Sequence, residues 1–276
     1  MKTRIVIQSH HDMKQPSLTD GVIHVKNKHS IGLHPDGMYS GHAGLAIYTV
    51  GCNYGRKHDA CGFCLQDVSD EDSDHVQVWH LARMIVQEMR DANVRLLTIG
   101  GGEPLYQPRS VTQLIQAFVA EWYAAGSTIP PYIQVETNGT VAFYQELEYL
   151  KRCMVETNPY YLTLTVSPRP VNGKYPTALA VTEGDVADYL SFKFLVSLNY
   201  AGMDDVPLRL MPDPSDEAYI TPVIELLSFP ESGEILHVLS SPINHAALAG
   251  NINRCTTLAG KNPNLRVCVP LTLFKS

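Results

Sequence analysis

Short apolar runs alternate with helical patterns along the chain, and this alternation limits the possible folds more than any other feature. Apolar runs predict strands at 45–50, 94–99, 132–135, 161–166 and 192–196, and a further one at 208–210. Amphipathic patterns predict helices at 76–90 and after Ser110. Strands that alternate with helices form βαβ units, which pair into a parallel sheet through right-handed crossovers. The alternation therefore predicts an α/β fold.

The predicted helices differ in how well their ends are marked. Residues 76–90 carry apolar side chains three and four residues apart, as one buried helix face requires. Ser110 followed by Gln113 matches a capping box, so we predict that the next helix begins there. Weaker helical patterns cover 142–151, 216–227 and 244–259.

Charge and hydropathy exclude several classes of protein. The 276 residues include 21 basic and 28 acidic side chains, for a net charge of −7. A non-specific nucleic-acid binder needs clustered Lys and Arg, which this chain lacks. No apolar run approaches the roughly 18 residues that a membrane-spanning helix needs, and the first residues do not resemble a secretory signal. We therefore predict a globular protein located in the cytoplasm, whose length allows one large domain or two small ones.

Glycine-rich or polar motifs follow four successive predicted strands. They are the cysteine loop that begins at Cys52, the segment 100–104, the segment 136–140, and Ser167. Ligand-binding residues of parallel α/β folds gather at the carboxyl ends of the strands. The four motifs therefore predict one shared site.

Three clustered cysteines suggest a metal centre. Eight residues separate Cys52 from Cys61, and two separate Cys61 from Cys64. Thiolates are the usual ligands of iron–sulfur clusters, and three of them would leave one iron of a 4Fe–4S cluster open to a small molecule. Two other interpretations stay open: a Cys₃His zinc site completed by His58 or His75, and three unrelated thiols.

The glycine segment after the second strand suggests a ligand contact. Glycines allow a ligand to approach the backbone closely, and Glu103 could accept hydrogen bonds from an ammonium group. A glycine turn alone is a weak signal, but its combination with the cysteine loop on the preceding strand is much more specific.

Together these motifs resemble those of the radical S-adenosylmethionine (SAM) superfamily, and within it the 7-carboxy-7-deazaguanine synthase (QueE) family. The similarity begins at 41–53, the strand that leads into the cluster loop. It continues with GGEPLYQ at 101–107, ETNGT at 136–140, VSPR at 166–169, SFKFLVS at 191–197 and CTTLAGKNPNLR at 255–266. The resemblance covers about 29–276 and implies a single domain over 1–276, in which residues 1–28 form an extension without a family counterpart.

The resemblance implies an incomplete (βα)6 barrel of the radical SAM type and a specific set of cofactor contacts. Cys52, Cys61 and Cys64 would bind a 4Fe–4S cluster, whose open iron is chelated by SAM. The expected SAM-binding residues are Gly101, Gly102, Glu103, Glu136, Thr137, Asn138 and Ser167. In that family, cleavage of SAM produces a radical that converts 6-carboxy-5,6,7,8-tetrahydropterin to 7-carboxy-7-deazaguanine with loss of ammonia. No catalytic side chain is assigned beyond the cluster and SAM.

The expected substrate side departs from the family pattern. The family's QGEG aligns with His34-Pro35-Asp36-Gly37, its threonine before GGEP is Gly100, and its C-terminal QTHK is Pro270-Leu271-Thr272-Leu273. The resemblance implies that the substrate-binding residues are His34, Asp36, Gly37, Gly100 and Gln107. Leu65-Gln66-Asp67 replaces the Asp-Thr or Asp-Ser that helps to bind magnesium, so Asp67 is the candidate Mg²⁺ ligand.

The resemblance also implies an electron donor such as flavodoxin, a pterin-like small-molecule substrate and a homodimer. Two alternatives remain at this stage. One is a radical SAM enzyme with a different substrate, because the cofactor motifs match better than the substrate positions. The other is a non-catalytic scaffold held together by zinc.

Overall fold

A computed structural model describes residues 21–27, 29–35, 39–54, 71–143, 145–146, 149–150, 158–166, 190–196, 236–240 and 265–268, with residues 253, 256–257 and 260. The strands in this part of the chain are β1 Val22–Lys26, β2 Ser30–Leu33, β3 Ala43–Thr49, β4 Ser73–Gln77, β5 Leu96–Gly101, β6 Tyr132–Thr137, β7 Tyr161–Val166, β8 Leu190–Val196, β9 Leu236–Ser240 and β10 Leu265–Cys268. The helices are α1 Val78–Asp91 and α2 Pro108–Ala124, with a 3-10 turn at Pro104–Tyr106.

All ten strands belong to one sheet, in the order β10-β9-β8-β7-β6-β5-β3-β1-β4, and β2 also pairs with β3. The seven strands from β3 to β10 along this order pair in parallel. The strands β1, β2 and β4 pair antiparallel. The predicted parallel α/β sheet is therefore confirmed, with an antiparallel edge that the sequence analysis did not predict.

The core lies between the sheet and the two helices. Alternate residues of the central strands, such as Leu97 and Ile99 of β5 and Ile133 and Val135 of β6, belong to one buried apolar cluster with residues of α1 and α2. Successive side chains of a strand point to opposite faces. The intervening residues, including Thr98, Gly100, Gln134 and Glu136, therefore point to the opposite face, which we call the polar face of the sheet.

Two predicted helix starts were wrong. Residues 22–26, which belong to the predicted extension, form β1, in which Ile23 and Val25 are buried. Residues 76 and 77 were expected to begin a helix, but they end β4, which pairs with β1 in a register that includes Ile23 and Val76.

The predicted start of α2 at Ser110 was also wrong. The helix begins at Pro108, and its N-cap residue is Gln107. The Ser110 hydroxyl donates to the carbonyl oxygen of Val22 at 2.7 Å, so it joins the helix to β1 instead of capping it. A proline at the first helical position suits the helix because its missing N–H has no partner there.

The other predicted elements agree with the structure or lie outside its description. The strands at 45–50, 94–99, 132–135, 161–166 and 192–196 are confirmed within two residues at each end. The strand at 208–210 and the helix at 216–227 lie outside the described residues, and those at 142–151 and 244–259 lie partly outside them.

Candidate functional site

The glycine segment after β5 lies directly against the end of β3. The Gly102 amide donates to the Thr49 carbonyl oxygen at 3.0 Å, and the Glu103 amide donates to the Gly51 carbonyl oxygen at 2.8 Å. Gly101 has a φ of +111°, and a Cβ atom there would lie 2.5 Å from the backbone N and O of Thr49. Only glycine fits this close approach, which holds the segment beside the first residues of the cysteine loop.

Glu103 connects the glycine segment to the loop after β6. Its Oε1 accepts hydrogen bonds from the Leu105 amide at 3.0 Å and the Thr137 hydroxyl at 2.7 Å. Its Oε2 accepts one from the Asn138 amide at 2.7 Å. The side chain is buried, and burial raises the pKa of Glu103 from 4.5 to about 7, although the three hydrogen bonds act in the opposite direction.

A carboxylate oxygen can accept two hydrogen bonds, and among the described residues Oε2 of Glu103 accepts only one. Within the part of the chain that the structure describes, no charged side chain contributes to the pKa of Glu103. A cationic N–H donor at this oxygen would therefore stabilise the ionised form, because a buried charge is costly until it is paired.

The cysteine loop and the loop after β6 are joined by a closed ring of side-chain hydrogen bonds. Asn53 Nδ2 donates to Thr140 Oγ1 at 2.9 Å, and Thr140 Oγ1 donates to Asn138 Oδ1 at 2.6 Å. Asn138 Nδ2 completes the ring by donating to Asn53 Oδ1 at 2.9 Å. We call these three residues the Asn53 ring. Cys52, which is half-buried, immediately precedes it along the chain.

Gln107 holds the end of β3 from the other side. Its Oε1 accepts from the His24 amide at 2.8 Å, and its Nε2 donates to the carbonyl oxygens of His24 and Val50 at 2.9 and 3.0 Å. Both Nε2 hydrogens are thus used by the backbone. Gln107 therefore holds the backbone of β1 against the end of β3.

A second polar cluster lies on the polar face of the sheet. Gln134 Nε2 donates to His34 Nε2 and to Glu136 Oε1, the latter at 3.1 Å. His34 Nε2 lies 3.7 Å from Glu136 Oε1, and His34 is buried. A Cβ atom at Gly100 would lie 3.1 Å from Glu136 Oε2, so the missing side chain at position 100 leaves room for the Glu136 carboxylate.

The structure brings together most of the predicted site residues that it describes. Gly101, Gly102, Glu103, Thr137 and Asn138 lie at adjacent strand ends beside Cys52, whereas His34, Gly100 and Glu136 lie together on the polar face. The predicted residues Cys61, Cys64, Asp67, Asp36, Gly37 and Ser167 lie outside the described residues, as does His58.

Three residues of these clusters were not predicted. Asn53 directly follows Cys52, and Thr140 ends the ETNGT motif, so their positions in the motifs could have marked both as site residues. Gln134 could have been found from its alternation with Glu136, since residues two apart on a strand share a face. No sequence pattern indicated which partners they would contact.

Within the described part of the chain, no three His, Cys, Asp or Glu side chains converge on a common point as metal ligands. Only one of the three clustered cysteines belongs to that part. His75, a candidate zinc ligand, lies on β4 with its ring stacked on that of His24 at 4.0 Å between centroids. A search of the described helices finds none with the length and apolar character to cross a bilayer.

Comparison with known proteins identifies a fold but no sequence family. No family profile matches the chain, and no curated protein sequence does either. The structure is similar to the crystal structure of QueE from Escherichia coli, with a TM-score of 0.56 and 16% sequence identity over 90% of this chain and 93% of that one. The chain thus shares the fold class of that protein, a mixed α/β architecture around a central sheet.

Proposed function

We propose that this protein is a radical SAM enzyme of the 7-carboxy-7-deazaguanine synthase type. The observation that carries the proposal is the contact between three motifs: Glu103 and the Asn53 ring join the cysteine loop, the glycine segment and the loop after β6 at adjacent strand ends. The fold similarity to QueE supports it. The proposal includes a sheet that curves into an incomplete (βα)6 barrel.

The residues at this edge fit the proposed cofactors. Cys52, Cys61 and Cys64 would hold the 4Fe–4S cluster. When bound, the cluster would supply the electron for reductive cleavage of SAM. Cys52 directly follows backbone whose carbonyl oxygens accept hydrogen bonds from Glu103 and Gln107. Its position relative to the glycine segment is therefore defined.

Glu103 would bind the ammonium group of SAM through Oε2. The buried carboxylate has a raised pKa, its Oε2 accepts one hydrogen bond within the described part of the chain, and a cation would stabilise its ionised form. Gly101 and Gly102 would present backbone beside this group. Thr137 and Asn138 would act by holding Glu103, and Glu136 and Ser167 would contact SAM itself.

The polar face would hold the substrate, 6-carboxy-5,6,7,8-tetrahydropterin. Among the described residues, the buried Gln134 Oε1 and Thr165 Oγ1 have no hydrogen-bond partner. Thr165 lies opposite Glu136 in the pairing of β6 with β7. Buried polar atoms of this kind are costly unless a ligand or water satisfies them. His34, Asp36, Gly37, Gly100 and Gln107 would complete the substrate site.

The remaining parts of the proposal follow from the resemblance. The enzyme would act in the cytoplasm as a homodimer, accept electrons from a donor such as flavodoxin, and bind Mg²⁺ with the help of Asp67. None of these assignments involves nucleic acid or a membrane.

The proposal can be tested by anaerobic reconstitution with iron and sulfide. We expect a brown protein that cleaves SAM under reducing conditions and releases 7-carboxy-7-deazaguanine, detected by mass spectrometry, when the tetrahydropterin is supplied. Cys52→Ala should lose the cluster, whereas Cys268→Ala, outside the cysteine loop, should keep it.

Each other outcome identifies a different error. SAM cleavage without the deazapurine would mean a radical SAM enzyme with another substrate, for which Gly100 and the neighbouring Glu136 carboxylate are the first residues to examine. A colourless protein that binds zinc through the same cysteines would instead support the scaffold.

A further inference from the structure

The three hydrogen bonds of the Asn53 ring all run in the same direction around the ring. Each of its three side chains donates one hydrogen bond to the next and accepts one from the previous residue. Thr140 adds a further bond from its amide to Asn138 Oδ1 at 2.9 Å. Hydrogen bonds arranged in a chain polarise one another, so breaking one weakens the others.

The ring holds the cysteine loop at a point beyond the backbone contacts of the glycine segment and Gln107. The bonds from Gly102, Glu103 and Gln107 end on the backbone of Thr49, Val50 and Gly51, before Cys52. Within the described residues of this loop, Asn53 is the first position after Cys52 whose side chain contacts another loop. Cys52 is therefore held on both sides.

The same ring is connected to Glu103. The Asn138 side chain belongs to the ring, while the Asn138 amide donates to Glu103 Oε2 at 2.7 Å. The adjacent Thr137 hydroxyl donates to Glu103 Oε1 and accepts from the Gly139 amide at 3.1 Å. A displacement of Asn138 would thus shift the carboxylate that the proposed function assigns to SAM.

We infer that Asn53 is a positioning residue: through Asn138 and Thr140 it sets the distance between the cluster ligand Cys52 and the SAM-binding carboxylate of Glu103. This inference rests on the proposed function, because SAM would have to reach Glu103 and the cluster simultaneously. Asn53 itself is exposed and contributes little to the core. Its loss should therefore affect the site more than the fold.

The test uses the cluster-loaded holoenzyme and measures the Kd for SAM by equilibrium binding. It also records the electron paramagnetic resonance spectrum of the reduced cluster with and without SAM, which reports whether SAM reaches the iron. Bound iron and sulfide per chain are measured for every variant, so that loss of cluster is separated from loss of SAM binding.

The variants isolate the ring. Asn53→Ala removes one member, Thr140→Val removes the hydroxyl that both accepts and donates, and Thr140→Ser keeps that hydroxyl. Gln87→Ala is the matched control, because it removes an exposed amide that bonds to Asp91 on α1, away from the site.

We expect Asn53→Ala and Thr140→Val to keep their cluster but bind SAM about tenfold more weakly, a change typical of one lost hydrogen bond. The spectral change on SAM addition should be reduced in both. Thr140→Ser and Gln87→Ala should behave like wild type. The variant that combines Asn53→Ala with Thr140→Val should bind SAM about as well as the weaker-binding of the two single variants, since the ring acts as a unit.

The outcomes separate this inference from the proposed function. If wild type binds SAM and Asn53→Ala binds it with the same Kd and spectrum, the positioning role is wrong while the proposed function stands. If reconstituted wild type neither holds a cluster nor binds SAM, both are wrong. Equal weakening by Thr140→Ser and Thr140→Val would also overturn the role of the ring.

Discussion

Replacing Glu103 with glutamine removes a buried charge while nearly preserving the shape of the side chain. Burial raises the pKa of this carboxyl from 4.5 to about 7. Because the folded protein holds the proton more tightly than the unfolded chain, the stability that Glu103 contributes below pH 4.5 is lost as the pH rises to about 7. At about 1.4 kcal/mol per pH unit, the loss amounts to about 3 kcal/mol.

Glu103→Gln cannot ionise and should not share this loss. If the amide NH2 group of the glutamine takes the place of Oε2, it cannot accept the hydrogen bond from the Asn138 amide. Loss of that bond lowers the free energy of unfolding by about 1 to 3 kcal/mol at every pH. The variant should therefore be less stable than wild type at pH 5. Its disadvantage should shrink or reverse by pH 8, and the difference in unfolding free energy should change by about 2 to 3 kcal/mol over this range.

Urea unfolding without SAM at both pH values measures this difference. Circular dichroism and the fluorescence of the buried Trp122 should give coincident transitions, as two-state analysis requires. Glu121→Gln is a matched control, since the Glu121 carboxylate is paired with Arg83 at the surface at 3.2 Å. A difference between Glu103→Gln and wild type that is the same at pH 5 and pH 8 would refute the argument.

Four further predictions concern the same strand ends. Gly101→Ala should destabilise the protein by at least about 2 kcal/mol, because its Cβ would lie 2.5 Å from Thr49 backbone atoms. Gly126 has a φ of +85° but open space around it, so Gly126→Ala should lower the free energy of unfolding by only about 1 kcal/mol in thermal and urea unfolding. Equal losses for the two variants would refute the steric argument. Gly100→Ala should cost less than about 1 kcal/mol in the same assays, since its nearest neighbour is the partly exposed Glu136 side chain, which can turn away. Gln107→Leu should lower the free energy of unfolding by about 2 to 4 kcal/mol, because it removes the three hydrogen bonds that Gln107 makes to the backbone of His24 and Val50, and a loss no larger than that of an exposed control such as Gln87→Leu would contradict this. If Glu103 binds an ammonium group, the Kd for SAM should fall as the pH rises through about 7, where the carboxylate ionises, and a Kd independent of pH would count against that contact.

Local periodicity was sufficient to predict the central strands and both helices. The central strands are short apolar runs such as 94–99, and the buried residues of α1 repeat every three or four positions, so each element carries its own signal. The antiparallel strands β1, β2 and β4 were missed. Their pairing joins residues distant in sequence, such as Ile23 and Val76, and no local pattern specifies the partner.

The role of Glu103 illustrates what residue type alone leaves open. From the sequence alone, Glu103 is a carboxylate that could accept hydrogen bonds from a ligand. In the structure it accepts hydrogen bonds from Leu105, Thr137 and Asn138, so the same carboxylate also holds two loops together. Ser110 is the opposite case, because a hydroxyl suited to a helix cap donates instead to the Val22 carbonyl oxygen of β1.

The amino-acid pattern is enough to predict the α/β class and the functional motifs at successive strand ends, because both depend on periodicity and on residues near one another along the chain. Which of those motifs touch is a property of the folded chain. The Asn53 ring joins residues 85 and 87 positions apart. Such contacts depend on strand register and on where each loop leaves the sheet, and these are determined by the packing of the whole core.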